Sequence, residues 1–277
     1  DYLVLSRRAI TVTMISNFDD ILQIARVQYY PNHLSEFIQE RYGLKLSHEE
    51  LQNFARLGLW PKNKLVSVEN ENIDHLMPVL QTLEERILTN AQIEHPGLLA
   101  YLNSVGLNTN SKSAIVDIGY SATIQGYLNR LMNQAIHGYY LMTTTRVQKI
   151  SSQYGAITQG YFAHDIDPKI SPPPIFLKSF SLEKLLSSDD AQIVCYRQLD
   201  SDNIIPEFRQ LADEERQSMI IRAEIRRGIM DFVNQSIMIR DKLVSDFKVP
   251  PDIAIDLFEE FIAHPSQAEQ DILGALV

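Results

Sequence analysis

The chain of 277 residues is 45% hydrophobic and 22% charged, enough apolar content for one large or two smaller domains with a buried core, and too much for a disordered chain. Its formal net charge of −10, with the acid excess concentrated in residues 182–277, gives no electrostatic reason to expect nucleic acid or an anionic membrane as partner. A single cysteine, Cys195, excludes an internal disulfide framework and a multi-cysteine metal site. No apolar run reaches the ~20 residues of a transmembrane segment, and no signal-peptide pattern opens the chain, so a cytoplasmic setting is expected.

Residues 2–6 (YLVLS) alternate and are rich in β-formers, which predicts a strand ending at Ser6, Arg7 and Arg8. A chain that opens on a strand with no cap before it reads as the downstream piece of something longer. From Phe18 to Val105 the apolar residues recur at three and four spacing, as in FDDILQIARVQYY, HLSEFIQERYG and HEELQNFARLG, with Gly43 and Gly58 as C-caps. NIDHLMPVLQTLEERILTNAQIEHPGLLAYLNSVG adds two or three more helices. An all-helical insertion of roughly ninety residues is far longer than an ordinary βα connection.

An α/β pattern resumes with SAIVDI as a strand, SATIQGYLNRLMNQ as a helix and IHGYYLMTT as a strand, which is a βαβ unit. GAITQGYFAHD reads as a further strand or hairpin, PKISPPPIFL as a proline-rich loop, SLEKLLSS as a short helix and AQIVCYRQ as a strand. Everything from about Glu207 reads as helical.

The stretch AIVDIGYSATIQGYL carries the most chemistry. Open α/β sheets bind ligands at the carboxyl ends of their strands, where helix N-termini present free N–H groups. Gly119 lets backbone come close, and Ser121 and Thr123 add hydroxyls beside the first helical turn, so this turn can hold a phosphate. Asp117 at the strand end can accept hydrogen bonds from vicinal sugar hydroxyls. The local alternative is that Ser121 simply caps the helix. Arg7 and Arg8 suit a pyrophosphate by their fork geometry. Alternatively, one is solvated and the other pairs with an acid of the helical insertion.

Other features point to structure more than to chemistry. The histidines never form an HxxxH spacing, so no protein-built metal site is expected. Cys195 lies in an apolar strand and reads as core. AHDIDP places Asp165 and Asp167 either on a cation or in a solvated turn. Phe37, Tyr42, Phe54 and Trp60 line an acceptor groove or, more commonly, a core. DEERQSMIIRAEIRRGIMDF is a mixed-charge helix face. GxSxG, Walker A and GxGxxG patterns do not occur.

YLVLSRRAI, FARLGL, VDIGYSATIQGYL with IHGYYL, LEKLLSSDDAQIVCY and IRRGIMDFV, in this order, resemble the C-terminal region of bacterial surface-polysaccharide proteins whose N-terminal half is a haloacid-dehalogenase-like phosphatase. That region is similar in organisation to type I phosphoribosyltransferases. The resemblance spans nearly the whole chain, and VDIGYSATIQ is its most specific element. It implies an α/β fold with a Rossmann-like, mostly parallel sheet from residues 1–17 and 106–200, a helical hood at 18–105 and a helical C-terminal region at 201–277.

The implied activity is that of a glycan phosphoribosyltransferase. It takes 5-phosphoribosyl-1-diphosphate with Mg2+ as donor and adds ribofuranose 5-phosphate to a polysaccharide acceptor, while a haloacid-dehalogenase-like phosphatase partner removes the phosphate. Asp117 would hold the ribose, and Gly119, Tyr120, Ser121, Ala122 and Thr123 the 5-phosphate. Ser6, Arg7 and Arg8 would face the leaving pyrophosphate, whose site in the family is completed by a strand-loop motif placed just before the position of residue 1. Glu183 is the candidate general base at the substrate. The family's second acidic position is Ile118 here, which leaves the ribose with one carboxylate fewer. The alternatives are a haloacid-dehalogenase-like phosphohydrolase with Asp117 as nucleophile, which lacks the second acid of DxD because Gly119 stands there, and a non-catalytic interaction module in polysaccharide assembly.

Overall fold

The computed structural model describes residues 2–107, 112–188, 190–200, 203–246 and 248–275. In chain order the elements are α1 (Arg7–Thr13), α2 (Phe18–Ala25), β1 (Tyr29–Asn32), α3 (Leu34–Tyr42), α4 (His48–Arg56), β2 (Val66–Val68) and α5 (Met77–Ser104). Then come β3 (Ala114–Asp117), α6 (Thr123–Met132), β4 (His137–Thr144), α7 (Arg146–Tyr154), β5 (Ile157–Ile166), α8 (Pro174–Leu177) and α9 (Ser179–Leu186). The chain continues through β6 (Ile193–Gln198), β7 (Ile204–Phe208), α10 (Asp213–Lys242), α11 (Pro251–Ala263) and α12 (Gln267–Ala275). Among the described residues no helix is long and apolar enough to cross a membrane.

These elements form two compact units, Asp1–Ser111 with Gln192–Arg209, and Lys112–Ala191 with Gln210–Val277. The division differs from the expected one. Residues 1–17 and the AQIVCYRQ strand group with the helices of residues 18–105 instead of joining a parallel sheet.

In the first unit the YLVLS segment is not a strand. Its backbone is satisfied by side chains: the Val4 N–H donates to the Tyr101 hydroxyl at 2.8 Å, and the Val4 carbonyl accepts from the Tyr196 hydroxyl. Ser6 caps α1 by accepting from the Ala9 N–H, and donates its own hydroxyl to the Ile193 carbonyl at 2.7 Å. A serine cap three residues before a buried apolar run starts a helix, which overrides β-propensity here. Arg7 and Arg8 therefore begin a helix and do not end a strand.

Of the two glycines read as C-caps, Gly43 terminates α3 at φ 73°, and Gly58, at φ 71°, follows Leu57, the residue at the cap position of α4. Asn17 caps α2, and Ser47 and Glu50 form a reciprocal capping box on α4; neither was read from the sequence. Phe37, Ile38, Tyr42, Leu80, Leu83 and Ile87 are fully or almost fully buried in the core that these helices share. Phe37 and Tyr42 are thus core, as are Phe54 and Trp60. The insertion is not wholly helical, because β1 and β2 pair antiparallel within it.

The two or three helices expected at residues 72–106 are one long helix, α5, preceded by a single 3-10 turn, although Pro96 and Gly97 lie inside it. Gly97 serves packing. A Cβ there would stand 2.1 Å from the Tyr196 carbonyl oxygen, so only glycine lets β6 approach the helix.

The second unit is α/β. Strands β3, β4 and β5 form a parallel sheet in that order, with Asp117 opposite Tyr140 and Tyr140 opposite Gly160. Helices α6 and α7 are the crossovers; α7, within TRVQKISSQY, was not read from the sequence. The sheet alternates as a strand pleat requires: Tyr140 and Met142 are buried, whereas Val116 and Tyr139 are exposed. Met142 packs with Ile166, Ile175 and Leu182, and with Ile255 and Phe258 from α11. PPPIFL is not irregular throughout, since Pro174 opens α8 at a position where its missing N–H costs nothing.

Candidate functional site

Strand β3 ends at Asp117, and residues 118–122 lead into α6 at the carboxyl edge of the parallel sheet. The turn is held from both sides. Gly119 donates its N–H to Asp117 Oδ1 at 2.9 Å. The Tyr120 carbonyl accepts from the Thr144 N–H at 2.9 Å and from Thr144 Oγ1 at 3.3 Å, which ties the turn to the end of β4.

Ala122, not Ser121, is the residue that caps α6. It adopts φ 55° and ψ 21°, the left-handed conformation that costs an L-residue about 1 kcal/mol or more, and it provides no side-chain cap. Among the described residues, no hydrogen-bond partner is found for the N–H groups of Thr123, Ile124 and Gln125, nor for the hydroxyls of Ser121 and Thr123. A helix that opens without a cap, at a strained residue and beside two unengaged hydroxyls, presents an anion with donors on several sides.

Below this turn α6 is fixed by two buried amides one helical turn apart. Gln125 donates to the Ile136 carbonyl at 2.6 Å and the Ile157 carbonyl at 2.9 Å, and accepts from the Tyr140 hydroxyl at 2.9 Å. Asn129 donates to the Tyr154 carbonyl and accepts from the Ile136 N–H. Gly138 makes room, since a Cβ there would stand 2.2 Å from Gln125 Oε1. The sequence reading missed this scaffold; its signal was a pair of amides at i and i+4 on the apolar side of the helix.

Above the turn, Tyr120 reaches across to α8 and α9. Its ring packs edge-on against Phe176 with centroids 5.5 Å apart, and its hydroxyl donates to the Ser179 carbonyl at 3.2 Å. Glu183, on α9, lies near enough to the same hydroxyl for the two to perturb each other's ionisation. Burial and then the charge of Glu183 push the Tyr120 phenol well above its ordinary range. Burial also raises the Glu183 carboxyl; the Asp117 charge adds to that, and the Tyr120 hydrogen bond opposes it. Tyr140, opposite Asp117 on β4, is likewise raised, by burial first and then by the Asp117 charge.

One unit therefore brings together Asp117, Gly119, Tyr120, Ser121, Ala122, Thr123 and Glu183. Ser6, Arg7 and Arg8 belong to the other unit. There the Arg8 guanidinium forms a two-pronged pair with Glu94, at 2.7 and 2.8 Å, and also bonds the Val194 carbonyl. Both side chains are almost buried, and Asn90 bridges Glu94 to the Tyr42 carbonyl. Of the two readings offered for the arginines, Arg8 follows the one in which it pairs with an acid of the insertion. Ser6 is spent on capping α1.

Asp165 lies in β5, and Asp167 holds the turn that follows it. The Asp165 N–H donates to Thr143 Oγ1, which pairs with His164 Nδ1 at 2.8 Å, and Asp167 accepts from the Lys169 N–H. Among the described residues no group of three or more His, Cys, Asp or Glu side chains is placed to hold a metal ion. Cys195 is buried in the first unit, and burial together with Glu94 pushes its thiol up to about 12. Comparison of the chain with protein-family models gives no match, and comparison with curated protein sequences gives none either.

Proposed function

We propose that the second unit is the donor-binding part of a glycan phosphoribosyltransferase that uses 5-phosphoribosyl-1-diphosphate, with its parallel sheet as the working part of a Rossmann-like fold. The observation that carries this reading is the turn from Asp117 to Thr123, an uncapped helix start with unengaged Ser121 and Thr123 hydroxyls beside a carboxylate at a strand end. A terminal phosphate on the helix start and a sugar on the carboxylate match these two halves. The resemblance of VDIGYSATIQ to phosphoribosyltransferases supports the same assignment.

In this reading a glycan hydroxyl oxygen attacks C1 of the ribosyl group as the bond from C1 to pyrophosphate breaks. The hydroxyl proton passes to a base, and the electron pair of the broken bond leaves with pyrophosphate. Positive charge develops on the sugar in the transition state, so a carboxylate fixed before the reaction lowers the barrier electrostatically. Asp117 is so fixed, because its Oδ1 is held by the Gly119 N–H.

Magnesium fits as an ion carried by the donor's diphosphate, since it keeps several waters and needs few protein ligands when phosphates supply the rest. No residue of the chain is assigned to it. Bound there, it neutralises the leaving group. A phosphatase partner acting on the transferred ribose 5-phosphate completes the proposal.

The test is calorimetric titration of the full chain with 5-phosphoribosyl-1-diphosphate, with and without magnesium, beside ribose 5-phosphate. Saturable binding of both, tighter for the diphosphate with magnesium, supports the reading. Phosphate release from ribose 5-phosphate by the chain alone would favour the phosphohydrolase, and no binding of either ligand would favour an interaction module.

A further inference from the structure

Strand β5 is bulged twice toward the end of the sheet where the donor turn lies. Tyr140 pairs with Gly160, Met142 with Ala163 and Thr144 with Ile166, so two steps along β4 are twice matched by three along β5. Bulges of this kind re-aim side chains, and the second one carries His164 and Asp165. Asp165 adopts φ 53°, a left-handed conformation that aspartate tolerates better than most residues. Its N–H donates to Thr143 Oγ1 at 3.0 Å. Thr143 is fully buried, and its neighbour Thr144 holds the Tyr120 carbonyl of the donor turn. The last two residues of β4 thus tie the donor turn after β3 and the His164–Asp165 pair on β5, strands that lie on either side of β4 at two strand spacings, roughly 10 Å, from each other.

The same hydrogen bonds fix the protons of the imidazole. The Gly160 N–H, which can only donate, is directed at His164 Nδ1 at 3.3 Å. Thr143 Oγ1 accepts from Asp165 and keeps its own hydrogen for Nδ1, 2.8 Å away. Nδ1 is therefore the acceptor nitrogen, and the proton of the neutral ring sits on Nε2. Nε2 lies 3.8 Å from Asp165 Oδ2, too far for a direct hydrogen bond. Both side chains are exposed, and among the described residues no hydrogen bond to the Asp165 carboxylate is found. A donor and an acceptor 3.8 Å apart and not spent on each other suit a single hydroxyl oxygen at ~2.8 Å from both, which accepts from Nε2 and donates its hydrogen to the carboxylate.

Resting on the phosphoribosyl reading, we propose that Asp165 is the base that takes the proton of the acceptor hydroxyl, and that His164 positions that hydroxyl through its Nε2–H. The acceptor oxygen forms the bond to C1, its proton passes to the Asp165 carboxylate, and the bond from C1 to pyrophosphate breaks with its electron pair leaving on pyrophosphate. Asp165 fills the role for which Glu183 was the candidate.

The experiment uses the full chain with 5-phosphoribosyl-1-diphosphate and magnesium, and with water or azide as the nucleophile at C1. Asp165→Asn keeps a residue that tolerates φ 53° and removes only the base. Its release of pyrophosphate to water should fall by about a hundredfold or more, the scale of a positioned base, while its calorimetric affinity for the donor stays within about threefold of the wild type. Azide has no proton to lose, so with azide the variant should come within about tenfold of the wild type. His164→Asn keeps an acceptor in the place of Nδ1 and lacks the Nε2 donor, whereas His164→Gln does the reverse. Release to water should fall by about tenfold in the first and stay within about threefold in the second, and a merely structural histidine gives the opposite order. Release by Asp165→Asn that matches the wild type with water, a loss that azide does not relieve, or no release by a wild type that binds the donor overturns the assignment of Asp165 and leaves the donor site standing. A wild type that does not bind 5-phosphoribosyl-1-diphosphate overturns the phosphoribosyl reading and this inference with it.

Discussion

The double variant Ser121→Ala, Thr123→Ala separates binding from stability. If Ser121 capped α6, its loss would cost about 1 kcal/mol of stability. The structure instead places Ala122 at the cap position and leaves both hydroxyls without partners among the described residues. The expected stability change is therefore within about 0.5 kcal/mol, that of a substitution away from any structural bond. Binding should behave otherwise, because each hydroxyl donated to a phosphate is a charge-assisted bond worth about 1.5–3 kcal/mol. Even one such bond predicts a loss of at least tenfold in affinity for ribose 5-phosphate, and for 5-phosphoribosyl-1-diphosphate alike. Calorimetric titration measures the affinity, and urea unfolding of the same samples measures the stability. A loss of 1 kcal/mol or more in unfolding free energy with unchanged phosphate affinity would refute the reasoning and make the turn an ordinary helix start.

The remaining predictions concern the frame around that turn and the first unit. Gln125→Ala removes three hydrogen bonds and leaves the Ile136 and Ile157 carbonyls and the Tyr140 hydroxyl without their partner, so denaturant unfolding of the second unit should show a loss of about 3 kcal/mol or more, at 1–3 kcal/mol for each buried polar group left unpaired. Arg8→Met strands the almost buried Glu94 carboxylate and should cost about 3–5 kcal/mol, whereas phosphosugar affinity should stay as it is if Arg8 is structural. Because the folded-state pKa of Glu183 is raised, its ionisation opposes folding: the penalty is absent below the unfolded carboxylate range and complete once pH has risen through the folded pKa. Glu183→Gln should accordingly raise the melting temperature at neutral pH, with a gain that shrinks as the pH falls through that range; a gain independent of pH would contradict it. Cys195, 4% exposed and with its thiol pushed up to about 12, should react with a thiol reagent only at the rate of unfolding.

What the sequence made legible was the local grammar. Gly43 marks a helix end because the carbonyl it satisfies, that of Gln39, lies four residues back, and β3, α6 and β4 follow from apolar periodicity and a turn of small residues. The strand end at Asp117 and the small-residue turn into α6 were legible for the same reason. The misreadings arise where a distant partner decides. YLVLS has strand composition, but the hydroxyls of Tyr101 and Tyr196, some hundred and two hundred residues away, take its backbone groups. Pro96 and Gly97 look like a helix break, but Gly97 marks where β6 presses on an unbroken helix. Arg8 looks like a ligand for pyrophosphate until Glu94 is seen in its fork. Glu183 and Tyr120 are some sixty residues apart, and nothing local in SLEKLLSS says that this carboxylate and that phenol perturb each other's ionisation.

The central claim is that the turn from Asp117 to Thr123 binds a phosphosugar, and Asp117→Asn tests it most directly when binding and turnover are followed together. The asparagine keeps the oxygen that accepts from Gly119 and removes the charge that favours the developing positive sugar. The account predicts that calorimetry of the variant retains ribose 5-phosphate affinity to within about tenfold, the scale of one hydrogen bond to a charged group. It predicts that pyrophosphate release from 5-phosphoribosyl-1-diphosphate with magnesium, with water attacking C1 in place of the glycan hydroxyl, falls by about a hundredfold or more, the loss typical when a preorganised charge is removed from a transition state. A variant that releases pyrophosphate as fast as the wild type, or a wild type that binds neither ligand, would contradict it.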